Sequence, residues 1–166
     1  SMLRKGITTF VDFREGGIEG VLLLKQVLSE MPLRSIILGR LEFYQLPNDI
    51  RKNIPLPINK RNELTKLLKE CDGIGVSGAN ENSTNVLNYY SGTAKIRAIH
   101  SSETYQSISK SKKTTGKSET IRALNLKPDF LVHMTHASIG DMRVAAKRTR
   151  GIVICPRANA ALAEGI

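Results

Sequence analysis

Short unbroken apolar runs alternate along this chain with longer stretches in which apolar residues recur every three or four positions. Residues 7–13 are rich in β-branched and aromatic side chains, follow Gly6 and lead into Gly16-Gly17, which predicts a strand and then a turn. Ile18, Val21, Leu22, Val27 and Leu28 recur at helical spacing until Pro32 stops the pattern. Residues 35–39 predict the next strand. Residues 45–59 carry Pro47, Pro55 and Pro57, which exclude a regular element and predict an extended loop or an ordered insertion. Asn62 caps a predicted helix through Leu64, Leu67 and Leu68 that ends near Asp72-Gly73, and residues 74–78 predict a short buried strand. Residues 82–91 hold one or two predicted helical turns ahead of a strand over 96–99. A short helix over 118–124 leads to a strand over 130–132. Ser138 caps a helix carrying Met142, Val144, Ala145 and Ala146 that Gly151 ends, and residues 152–155 predict a buried strand closed by Pro156.

Near-continuous apolar strands alternating with helices imply parallel strands joined by right-handed crossovers. About six strands are predicted, whereas a closed (β/α)₈ barrel needs eight and typically ~250 residues. The fold class is therefore α/β, as an open doubly wound sheet or as part of a barrel. Two of the predicted strands end in groups suited to metal or proton chemistry. The run over 96–99 ends in His100, with Glu103 three residues on, and the run over 130–132 ends in His133. The three histidines of the chain, His100, His133 and His136, all sit in these two places. Polar groups at strand ends are where α/β sheets and barrels build their sites.

Composition narrows the function classes. With 166 residues the expectation is one domain, 1–166, large enough to bury a core. No apolar run approaches the roughly 20 residues a membrane span needs, and a cytoplasmic location is expected. The net charge of +10 raises the possibility of nucleic-acid binding. Much of the excess, however, comes from Lys110, Lys112, Lys113 and Lys117 in a Ser/Thr-rich stretch that reads as a solvated loop. The four Tyr and four Phe do not interleave with basic residues in the way that stacks bases, so a bland basic surface is expected. Cys71 and Cys155 match no metal spacing and read as buried free thiols. Gly116-Lys117-Ser118 ends like a phosphate-binding loop, but Ser111 stands where that motif needs its first glycine.

Four segments, in order, carry a resemblance. They are Lys5-Gly6-Ile7-Thr8-Thr9-Phe10-Val11-Asp12, His100-Ser101-Ser102-Glu103, Leu131-Val132-His133-Met134-Thr135-His136, and the run from Gly151 through Cys155, Pro156 and Arg157 to Asn159. Together they resemble the metal-dependent amidohydrolase superfamily, in its cytosine deaminase, guanine deaminase and chlorohydrolase branch. The resemblance implies a (β/α)₈ barrel of which this chain supplies about six parallel strands, the second to the seventh, with flanking helices. It also implies a divalent metal, zinc or iron, that activates water. By this resemblance His100 is a metal ligand, and Glu103 moves a proton between the attacking water and the leaving amine. His133 orients the nucleophile or the substrate, while Pro156 and Asn159 lie beside the substrate. His136 falls next to the site or at the surface, and Asp12 lines the mouth or makes a turn.

The family's His-x-His motif would precede Gly6, and its eighth-strand Asp would follow Ile166. The expectation is thus an internal piece of a hydrolase that cleaves C–N or C–Cl bonds of a nitrogen heterocycle. Residues 1–166 alone are expected to hold metal weakly, to be inactive, and to pair their open edges in a homo-oligomer. The alternative is a non-catalytic α/β interaction module with a basic surface.

Overall fold

The computed structural model describes residues 2–163 and 165. Among them, six parallel strands form one sheet in strict chain order. They are β1 (Thr9–Arg14), β2 (Arg34–Gly39), β3 (Gly73–Val76), β4 (Ile96–Ser101), β5 (Phe130–His133) and β6 (Gly151–Val153). Each pairs with the next in parallel register, for example Val11 with Ile36, Ile74 with Arg97, His100 with Val132 and Val132 with Val153. Helices fill the crossovers: α1 (Gly17–Leu28), α2 (Pro47–Arg51), α3 (Ile58–Glu70), α4 (Thr84–Ser91), α5 (Tyr105–Thr115), α6 (Glu119–Ala123) and α7 (Ile139–Ala146), with α8 (Pro156–Ala161) after β6. This is a curled half-barrel: the parallel strands follow from the alternation of apolar runs and helices, and of the two arrangements which that alternation left open the part-barrel is the one found.

The core lies between the sheet and its helices. Ile37, Ile74, Ile99 and Leu131 point from the strands against Val21 of α1, Leu64 and Leu67 of α3, Leu87 of α4 and Ala145 of α7, all of them buried. On the other face, alternate strand residues (Val11, Phe13, Ile36, Leu38, Ala98 and Val132 among them) line an apolar cavity of about 540 Å³. The curl is visible in one contact. Phe13 on β1 stacks on His100 of β4 with ring centroids 4.6 Å apart. Three strand spacings of a flat sheet would separate their backbones by roughly 14 Å. Gly75 on β3 makes room for the contact, since a Cβ there would come within 2.5 Å of the Phe13 ring.

The structure corrects four local expectations. The proline-rich stretch is not devoid of regular structure: Pro47 opens α2, where its missing N–H costs nothing, and α3 starts at Ile58 directly after Pro57, four residues ahead of Asn62. The lysine-rich stretch is a helix rather than a loop. Thr104 caps α5 by accepting from the Ser107 N–H, and Gly116, at φ 73°, ends it in the left-handed region. Gly116-Lys117-Ser118 is accordingly the end of one helix and the cap of the next, where Ser118 accepts from the Ile121 N–H. The last strand is not buried: Ile152 and Val153 are exposed, and Ile154 is 73% exposed. Cys71 and Cys155 are free thiols, as expected, but half-buried rather than buried.

No helix among the described residues is long and apolar enough to cross a membrane.

Candidate functional site

The C-terminal ends of β4 and β5 carry the candidate chemistry. His100 is the fifth residue of β4 and sits opposite Val132, while His133 ends β5 opposite Ser101. Their rings lie 5.2 Å apart between centroids. Glu103 follows β4 in the loop, and its Oε1 is 3.3 Å from Nε2 of His133. The other ring nitrogen, Nδ1, is 3.0 Å from Oδ1 of Asn159. Asn159 reaches in from α8, and its amide nitrogen donates to Thr135 Oγ1 at 2.8 Å. Pro156 opens α8, and with His133, Met134 and Asn159 it lines a cavity of about 360 Å³. Thus all five residues singled out in the sequence, His100, Glu103, His133, Pro156 and Asn159, stand at one end of the sheet.

The backbone there is held in unusual conformations. His133 and Met134 have φ of 71° and 60°, and Ser102 has φ of 52°. Left-handed non-glycine residues cost of order 1–3 kcal/mol each and persist where the surroundings over-determine them. Here the Met134 N–H donates to Ser101 O and the His136 N–H to Ser102 O, both at 2.9 Å, lacing the two loops together. These bonds turn the His133 ring toward Glu103 instead of continuing the strand.

Burial is the main reason that His100 has its pKa pushed down to about 4; the nearby His133 and Arg40 add to the effect, and a hydrogen bond to the Ser77 backbone opposes it. Its imidazole is therefore neutral at pH 7, the form with a lone pair to offer. Arg40, just past β2, is fixed at the rim by Glu15 at 2.7 Å, Glu81 at 3.5 Å and the Tyr44 hydroxyl at 2.8 Å. His136 lies against Tyr105, ring centroids 4.0 Å apart. Asp12 neighbours Arg14 Nε at 3.8 Å.

Sequence reasoning missed the support under Glu103. Glu119 is buried; its Oε2 accepts from the Ser102 N–H at 2.8 Å and the Ser107 hydroxyl at 2.7 Å. Asn80 donates to the other carboxylate oxygen and accepts from Arg122, which also donates to the carbonyls of Ala79 and Asn82. Arg122 is 2% exposed. Desolvation raises the Glu119 pKa and lowers that of Arg122. The network pins the loop that carries Glu103 from below. Glu119 and Arg122, three residues apart on a short helix, look in sequence like an ordinary solvated pair.

Among the described residues, no group of three or more His, Cys, Asp or Glu side chains is arranged to hold a metal ion. His100 and His133 offer two nitrogens, and Glu103 is turned onto His133. These residues by themselves do not make up the donor set of a catalytic metal, which asks for at least three protein ligands.

No family model matches the chain. It is 34% identical over 169 residues to a Methanothermobacter thermautotrophicus protein provisionally named an aminohydrolase, covering 99% of this chain and 42% of that protein. It is 32% identical over 178 residues to an uncharacterized protein of Methanocaldococcus jannaschii, covering 99% of this chain and 43% of the other. The chain therefore spans about two fifths of the length of these relatives. Among solved structures, a zinc-bound adenosine deaminase from Xanthomonas campestris matches with a TM-score of 0.74 at 18% identity, over 99% of this chain and 39% of that one. The two folds are alike over this chain's length. At that identity the likeness speaks for the fold alone, and it agrees with the partial barrel that the resemblance implies.

Proposed function

We propose that this chain is the central part of a metal-dependent amidohydrolase that hydrolyses C–N bonds, or C–Cl bonds, of a nitrogen heterocycle. The observation that carries the reading is the convergence of His100, Glu103, His133 and Asn159 at the strand ends, held there by strained backbone and a buried network. The name given to the Methanothermobacter relative supports it. Glu103 takes the proton of the attacking water and returns it to the leaving amine, which requires a carboxyl group at the mouth within reach of both. His133 orients the nucleophile or the substrate, and Pro156 and Asn159 bound the substrate side of the 360 Å³ cavity. The metal, zinc or iron, would take His100 as one ligand, with the remaining ligands outside this chain; bound there, it would supply an activated water. Residues 1–166 alone do not turn over. The protein works in the cytoplasm, consistent with two free thiols. It uses neither membrane nor nucleic acid, and the exposed β1 and β6 edges pair in a homo-oligomer.

The test is ammonia or chloride release from purines, pyrimidines and triazines with zinc or iron added, run on this chain and on the longer Methanothermobacter relative. Turnover by the relative alone, lost when its counterpart of Glu103 becomes Gln, is the expected result. An inert relative overturns the reading. Stoichiometric metal with turnover by residues 1–166 overturns the claim that they are inactive alone. The competing reading, a non-catalytic interaction module, is favoured by the incomplete donor set and predicts an inert relative.

A further inference from the structure

Glu119, the first residue of α6, ties together both ends of the loop that carries Glu103. One of its oxygens, Oε2, accepts from the Ser102 N–H at 2.8 Å and from the Ser107 hydroxyl at 2.7 Å. A single atom thus closes the loop from the end of β4 to the first turn of α5. The other oxygen accepts from Asn80 Nδ2 at 2.9 Å. Which end of the Asn80 amide faces Glu119 is set by Arg122, a group that can only donate and that meets Asn80 Oδ1 at 3.2 Å. A backbone N–H can only donate as well. Both oxygens of Glu119 therefore face groups that require an acceptor, and they do so away from water: Ser102 is 1% exposed and Glu119 4%. The other polar groups of Ser102 are engaged too. Its hydroxyl meets Thr120 Oγ1 at 2.9 Å, and its carbonyl accepts from the His136 N–H at 2.9 Å. These bonds hold Ser102 at φ 52°, a conformation that non-glycine residues seldom adopt. Glu103 comes next in the chain, and its approach to His133 follows from that turn of the backbone. Without the Glu119 acceptor the buried Ser102 N–H would be left unpaired. Rotating Ser102 back to extended backbone frees that N–H and carries Glu103 away.

We infer that Glu119 is a positioning residue: through Ser102 and Ser107 it holds Glu103 against His133, and a neutral amide of the same shape cannot replace it. Glu119→Gln sets an NH₂ group against the Ser102 N–H or against Asn80 Nδ2, whichever way the amide turns. Asn80 cannot turn to relieve the clash, because Arg122 holds its oxygen. The catalytic meaning of the role rests on the hydrolase reading, in which a proton-transferring carboxylate displaced by about 1 Å costs about 10²-fold in rate. The placement of Glu103 can be read without turnover, so failure of one reading is distinguishable from failure of the other.

The experiment asks whether Glu103 still meets His133. The Cε1–H signal of the His133 ring is recorded at one fixed pH in the ¹³C-labelled chain, with and without Glu103→Gln; His100→Gln and His136→Gln assign the other two rings. The change in shift that Glu103→Gln causes reports the contact. In a Glu119→Gln background that change is expected to fall to about half or less, since the field of a carboxylate weakens with distance. In a Leu64→Ala background, which loosens the outer core without touching the loop, it should stay as it is. If Glu119→Gln does not fold, Ser107→Ala decides the matter: it frees the far end of the loop from Glu119 and should lower the response in the same direction, by less. An undiminished response in Glu119→Gln, or in Ser107→Ala where that variant decides, overturns the inference. So does an equal fall in Leu64→Ala, which would make the effect one of stability alone.

Discussion

The two faces of the sheet are made of the same kinds of residue, and both are buried in the middle strands, where Leu38, Ala98 and Val132 of the inner face are at most 5% exposed; the contrast lies at the edge strands. Leu131 on β5 points into the helices and is fully buried, while Val153 on the adjoining β6 is 46% exposed and Val11 on β1 is 53% exposed. The helix-covered face carries its own lid, because each crossover helix lays an apolar stripe on the strands it connects. The inner face has only side chains from the same sheet to meet, and Phe13 folding over Gly75 onto His100 is as far as the curl brings them. A half-barrel can thus have a well-packed outer core and an inner one that opens toward its edge strands, with the candidate site where the two meet at the strand ends.

If that contrast is right, the largest loss comes from the buried network beside the outer core. Arg122→Ala would strip the Ala79 and Asn82 carbonyls of their donor and leave Glu119 without a compensating charge. A destabilisation of about 3–5 kcal/mol is expected by urea denaturation. A loss below about 1 kcal/mol would show that the network is not closed to water.

Next, Leu131→Ala should cost about 2–5 kcal/mol, since the outer core cannot collapse around the gap. The contrast sharpens with acid. His100 binds its proton more weakly folded, at about 4, than unfolded, near 6.5. The unfolded chain therefore takes up more protons between these values, and stability present above about 6.5 is lost as pH falls toward 4. The loss attributable to His100 is up to about 3 kcal/mol, and His100→Gln should flatten that part of the pH–stability curve. An unchanged slope would mean that the inner face is open enough to solvate the charged ring.

The smallest stability effect is expected on the inner face itself. Val153→Thr should change the unfolding free energy by less than about 1 kcal/mol, because the side chain is already half in water. The same substitution should weaken self-association, measured by light scattering at high concentration, if the exposed edge is where copies meet. A cost comparable to that of Leu131→Ala would erase the distinction between the faces.

Much of this was legible in the residues. Near-continuous apolar runs gave parallel strands in order, and Ser138 marks a helix start by chemistry that acts within a few residues. The α5 helix was hidden because Ser111 alone of its residues is buried; its signals were the Thr104 cap and Gly116, both present in the sequence and outweighed by the lysines between them. The pairing of Glu103 with His133 could not be read from spacing, since thirty residues and a crossover separate them. Nor could the burial of Glu119 and Arg122, whose partners come from Asn80, Asn82, Ser102 and Ser107 on three other segments.

The sequence by itself determined which segments become strands and helices, their order, and that histidines stand at two strand ends, because periodicity, caps and breakers act locally. Only the tertiary structure decided how far the sheet curls, which face is left half-covered, and that Asn159 and Glu103 grip opposite nitrogens of one imidazole. Those outcomes depend on contacts between residues distant in the chain, and their energies arise only when burial removes water from around them.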